Sequence, residues 1–147
     1  MKSLILFFLI GLSSLTYVPE KAISYARKYC KNYNSKYINY EGYDSSNFVS
    51  QCLLEGGQDF DGCVGLETKG SFILIVSLRT CLIEKGWKLR IGKPKEFKAG
   101  YPFFDSESVM IATEVKDDYI KYCRHSVDLC DEKITEFENY LFFYLPN

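Results

Sequence analysis

The stretch Asp44-Ser45-Ser46-Asn47-Phe48-Val49-Ser50-Gln51-Cys52-Leu53 decides how this chain is read. An acid and two hydroxyls precede an apolar pattern at Phe48, Val49, Cys52 and Leu53, and the pattern stops at Gly56-Gly57. That is the pattern of a capped helix. Asp44 or Ser45 can accept the free N–H groups of the first turn, and glycine can close the last.

Working outward, a helix is expected upstream from Pro19 to about Tyr33. Proline suits a first turn and Glu20 suits the positive end of the helix dipole. Ala22, Tyr25, Ala26, Tyr29, Cys30 and Tyr33 recur at helical spacing; the tyrosines read as core rather than as a sugar-stacking stripe. Tyr37, Tyr40 and Tyr43 follow in a polar loop and are placed at the mouth of a cleft. Downstream, the loop from Gly56 to Gly70 lacks the Lys-Ser/Thr ending of a phosphate loop and is a candidate cleft wall. Ser71 to Lys85 is almost continuously apolar and reads as a buried helix. Trp87, Leu89 and Ile91 alternate as a strand does, and Tyr101 to Phe104 is a short strand. Ser108–Val115 and Tyr119–Cys123 pair around Asp117-Asp118, and Ile134 and Tyr140–Leu145 supply the remaining strand material. Helices first and strands afterwards predict an α+β domain, with the helices packed on an antiparallel sheet.

The chain of 147 residues suits one domain, and 47% hydrophobic residues argue for a packed core. A net charge of -1 gives no nucleic-acid footprint. Lys2 followed by the apolar run Leu4–Leu12 and the small residues Ser13, Ser14 and Thr16 reads as a signal peptide. It is assigned to residues 1–16, with cleavage between Ser13 and Tyr17 and a single domain over residues 17–147. No membrane attachment is expected after cleavage. Cys30, Cys52, Cys63, Cys81, Cys123 and Cys130 then fit an oxidising, extracellular compartment and three disulfides. The expected pairs are Cys123–Cys130, Cys30–Cys81 and Cys52–Cys63. With no C-x-x-C and one histidine, no metal or other cofactor is expected, and no N-glycosylation sequon is present.

The opening stretch resembles the Asp-Cys-(Thr/Ser/Ala)-Asn-Phe-Val-Ser-Gln signature of the putative amidase domain family, related to NlpC/P60 and papain-like cysteine hydrolases. The resemblance extends to Ala22, Tyr25, Ala26 and Tyr29, to Ser50 through Gly57, and to Lys85-Gly86-Trp87. It also takes in Ser108 through Thr113, and Tyr122, His125, Ser126 and Asp128. It implies a papain-like α+β fold. It also implies amide hydrolysis by a cysteine thiolate at a helix N-terminus, served by a strand histidine, an orienting polar group and backbone N–H donors for the oxyanion.

At the matching positions this chain carries Ser45 for the nucleophile and Ser108 for the base, and His125 takes the orienting place. A serine hydroxyl has no useful anion near neutral pH without a base, and Ser108 cannot act as that base. Three rescues are conceivable. His125 can swing to Ser45 with Asp128 orienting it; Glu107 can serve as a base if burial raises its pKa; Ser46 can replace Ser45. Cys52, two turns along the same helix, reads as disulfide-bonded. The plainer readings are a helix cap for Ser45, a strand-start residue for Ser108 and a hydrogen-bonded turn residue for His125.

The chain therefore reads as a secreted pseudoenzyme of the cysteine-amidase fold. It would bind a peptide, muropeptide or glycan, or self-assemble as a structural extracellular protein. The alternative is an active amide or cell-wall hydrolase with a Ser45–His125 site.

Overall fold

A computed structural model describes residues 16–147. The signal segment expected over residues 1–16 lies, but for its last residue, outside the described residues. Among the described residues no helix is long and apolar enough to cross a membrane.

Helices α1 (Pro19–Tyr29), α2 (Ser45–Glu55) and α3 (Ile75–Glu84) precede six strands: β1 (Lys88–Ile91), β2 (Pro102–Phe104), β3 (Val109–Val115), β4 (Ile120–Arg124), β5 (Leu129–Ile134) and β6 (Leu141–Tyr144). The strands form one antiparallel sheet in the order β1-β6-β2-β3-β4-β5. The architecture is α+β, as the order of apolar patterns predicts.

Helix α2 is the centre of the molecule. Every residue from Ser45 to Leu53 is buried, because α1 packs on one side of it and β3 on another. Its polar residues survive burial by being partnered. Ser50 Oγ donates to the Asn47 carbonyl at 2.9 Å and accepts the Phe72 N–H at 3.0 Å; Gln51 Oε1 accepts the Tyr25 hydroxyl at 2.8 Å. Its C-terminus is a Schellman motif. Gly57 takes a positive φ of 92°, its N–H bonds the Leu54 carbonyl, and the Gln58 N–H bonds the Leu53 carbonyl. The glycine pair thus ends the helix for the reason read from the sequence. The start differs. Asp44 occupies the N-cap position, but no side chain caps the first turn.

Other boundaries shift for identifiable reasons. Helix α1 stops at Tyr29 instead of about Tyr33, because the chain turns at Cys30, which is held in a disulfide. Helix α3 begins at Ile75, since Ser71–Leu74 is drawn into the loop: Phe72 pairs with Leu66, and its ring packs edge-on against Phe60 at 5.2 Å. Nor is α3 a fully buried helix. Leu78, Cys81 and Leu82 face inward, while Leu74, Val76 and Ile83 are exposed. Strand β1 is an edge strand whose four residues are all exposed; only Trp87 before it enters the core.

Gly100 shows how closely α1 sits on the sheet. Its φ is +85°, and a Cβ there would lie 2.5 Å from Pro19 Cβ. Gly100→Ala is expected to lose about 2–3 kcal/mol of stability, from strain at a positive φ plus a clash at a helix start. A urea melt compared with the unsubstituted protein checks this.

The disulfides are Cys30–Cys130 and Cys63–Cys81, with Cys52 and Cys123 buried as free thiols. All three expected pairs are therefore corrected, including the bonded state assigned to Cys52. Sheet order explains the first bridge: β5 is laid beside the end of α1, so Cys30 meets Cys130. The second forms because the loop carrying Cys63 folds onto α3, where Lys85 Nζ also donates to the Asp61 carbonyl at 2.7 Å.

Candidate functional site

The N-terminus of α2, the start of β3 and the turn between β4 and β5 meet at an open cleft of about 730 Å³. Its lining includes the apolar residues Leu74 and Val76 with Tyr43, the hydroxyl residues Ser45, Ser108 and Ser126, and the acid Glu107. The cleft wall is Ile73–Val76 rather than the glycine-rich loop, none of whose residues line it. Of the loop tyrosines, Tyr43 reaches this cleft, whereas Tyr37 and Tyr40 border a separate small hollow.

Ser45 is the first residue of α2. Its Oγ accepts the Val109 N–H at 3.4 Å, so the helix start is fastened to the strand immediately after Ser108. Ser108 is shaped by an Asx turn: Asp105 Oδ1 accepts the N–H groups of Glu107 and Ser108 at 2.8 and 2.7 Å. The Ser108 Oγ accepts Arg124 Nη1 at 3.3 Å, and Arg124 also lies 4.0 Å from Asp105 Oδ2. The structure thus brings Ser45 and Ser108 into one cleft.

His125 is placed elsewhere. It is 1% exposed and does not line the cleft. Its Nδ1 lies 2.6 Å from Asp44 Oδ2 and its Nε2 lies 2.7 Å from the Tyr29 carbonyl. The ring is stacked on Phe48 at 3.9 Å and covered by Tyr33 at 4.2 Å. A carbonyl only accepts, so Nε2 carries a proton. Asp44 Oδ1 already accepts the Tyr40 N–H and Asn47 Nδ2, so the contact with Nδ1 falls to Oδ2. The ring is thus bonded at both nitrogens and packed between two aromatic side chains.

Asp44 is the residue that the sequence reading missed as a partner. Read only as a helix cap, it is a fully buried carboxylate that ties the Tyr40 turn, Asn47 and His125 together. The available signal was the chain's one histidine, which needs a partner if buried, and an acid directly before the helix. Asp128, the expected orienter, instead accepts the Tyr33 hydroxyl at 2.8 Å. Ser126 follows His125 with a φ of 80°, and its Oγ accepts the Asp44 N–H at 3.0 Å. Glu107 is exposed, so the burial that its use as a base requires is missing. Ser46 is buried, and its hydroxyl has no hydrogen-bond partner among the described residues. Burial pushes the Cys52 thiol well above its ordinary range, so it is held neutral in the core.

The arrangement can present hydroxyls, one carboxylate and an apolar wall to a ligand. Within it no imidazole faces Ser45. No curated protein and no solved structure matches the chain. A family model described as a putative amidase domain matches residues 16–93, which span α1, α2, α3 and β1 and include Ser45 but not Ser108 or His125. That match takes in more than half of the chain, and the protein belongs to this amidase-domain family.

Proposed function

We propose that this protein is a secreted, disulfide-bonded amidase-domain protein of the NlpC/P60 and papain-like type whose cleft binds rather than hydrolyses. In this reading residues 1–16 are a removed signal peptide and residues 17–147 are the mature domain. Ser45 and Ser108 stand in place of the cysteine nucleophile and histidine base. The observation that carries the proposal is the double engagement of His125: both ring nitrogens are bonded away from the cleft, to Asp44 and to the Tyr29 carbonyl. A serine without an adjacent base has no route to an alkoxide near neutral pH. The two disulfides support an oxidising compartment. The apolar residues Leu74 and Val76 and the three serines that line the same cleft favour a peptide or muropeptide stem: side chains against the apolar residues, main-chain amides against the serines. Mature protein incubated with peptide amides and muropeptides should bind without releasing product. Cleavage that Ser45→Ala abolishes would instead establish a working hydrolase.

The same reading makes a constructive prediction. Ser45→Cys together with Ser108→His should create a thiol at a helix N-terminus beside an imidazole, with a pKa brought down to about 7 or lower. Alkylation by iodoacetamide at pH 6 to 7 should be about tenfold faster than for an ordinary exposed cysteine. A rate no faster than the ordinary one, in a folded variant, means the two positions no longer form a pair.

A further inference from the structure

Away from the cleft, three sulfurs from three elements lie together. Cys30 follows α1, Cys123 is on β4 and Cys130 is on β5, and their Sγ atoms all lie within 4.8 Å of one another. Two of them form the Cys30–Cys130 bridge; the third is a buried free thiol. We propose that Cys123 is a resident exchange nucleophile, and that the protein interconverts between a Cys30–Cys130 and a Cys123–Cys130 disulfide.

The sheet register supports the second isomer. Tyr122 pairs with Glu132 and Arg124 with Leu129, and the irregularity between them sets Cys123 against Cys130 and Asp131. Asp131 takes a φ of 52° at this point, and its N–H reaches the Cys123 sulfur at 3.5 Å. The step balances without an external oxidant. Cys123 loses its proton and its sulfur attacks Cys130 Sγ. An S–S bond forms between them, the old one breaks, and Cys30 leaves as a thiolate that takes up a proton. The charged groups facing the cluster are Asp131 from β5 and Arg27 from α1; Cys52 on α2 is a neutral neighbour. Burial pushes the Cys123 thiol up to about 11, with the Asp131 charge adding to this and the Asp131 N–H and Arg27 opposing it. The thiolate is therefore about one part in ten thousand at pH 7, and exchange is slow but accelerates with pH.

Release of Cys30 does not scatter the cluster. Arg27 still holds both Asp131 oxygens, at 3.1 and 3.2 Å, and His125 still holds the Tyr29 carbonyl next to Cys30. The sulfurs stay within reach, so the reaction is reversible. Its effect is to move the covalent tie from the α1–β5 contact to the β4–β5 hairpin. In the second isomer α1 is held by packing and these polar bonds alone.

The test is disulfide mapping of the intact folded protein. Samples held at pH 7, 8 and 9 are quenched in acid, unfolded with N-ethylmaleimide at pH 6 and digested with trypsin, which cuts after Arg124 and so separates Cys123 from Cys130. Linked Cys123–Cys130 peptides with alkylated Cys30 are expected, appearing about tenfold faster per pH unit. Cys123→Ser should give Cys30–Cys130 alone. Finding only Cys30–Cys130, with Cys123 fully alkylated at every pH, overturns the proposal. Cys30→Ser in a glutathione buffer gives a second reading: a Cys123–Cys130 bridge supports exchange, and free thiols at both positions in a folded variant reject it. If Cys30→Ser does not fold, the wild-type map alone decides.

Discussion

His125→Ala is expected to lose about 3–5 kcal/mol of folding stability, among the largest losses of any single substitution in this chain. The reason is what it leaves behind. Asp44 is fully buried, and removal of the imidazole strands its Oδ2 without the partner it has at 2.6 Å. The Tyr29 carbonyl loses its donor as well, and a void opens between the rings of Phe48 and Tyr33. Urea denaturation measures the loss, and thermal melting should fall by about 10 °C or more. Adding Asp44→Ala to His125→Ala should recover part of it, because the stranded polar group is then gone; a double-mutant cycle should return a coupling of at least about 1 kcal/mol. A loss below about 1 kcal/mol for His125→Ala would mean that the pair does not anchor the fold. Such an anchor is a different use of histidine from the proton shuttle of a hydrolase, and it accounts for why the one imidazole in the chain is sealed from the cleft.

The second large effect is expected at the disulfides, and the two should differ. Cys30–Cys130 closes a loop with a sequence separation of 100, and Cys63–Cys81 one of 18. By loop-closure entropy, Cys30→Ser with Cys130→Ser should cost about 4–5 kcal/mol, and Cys63→Ser with Cys81→Ser about 3 kcal/mol. Both losses are large beside a typical domain stability of about 5–15 kcal/mol. Denaturation of each double-serine variant against the parent checks the order. Equal losses would mean that the long loop is already restricted in the unfolded chain.

Local patterns were legible where one signal dominated. Gly56-Gly57 ends α2 because only a residue tolerant of positive φ closes a Schellman motif there. Asp117-Asp118 turns β3 into β4, with the Lys116 N–H on the Tyr119 carbonyl at 2.9 Å. What the sequence hid was decided by distant neighbours. Cys30 and Cys130 have no local reason to meet; sheet order brings β5 beside α1. The apolar run before Gly86 reads as one buried helix, yet Ser71–Leu74 stays outside α3, with the Phe72 N–H on Ser50 Oγ across the fold and Ile73 and Leu74 lining the cleft. Ser45 and Ser108 were placed together by family resemblance, and the structure sets both on one cleft. Asp44 was hidden because a carboxylate before a helix is so often a cap that its longer-range partner goes unread.

Strand β1 carries one more consequence. It ends the sheet with its outer main-chain groups unpaired, and Leu89 and Ile91 would make that rim adhesive. Lys88 and Arg90 alternate with them. Two copies approaching β1 to β1 would bring these cations close together, so pairing of this rim with its own copy is opposed by repulsion.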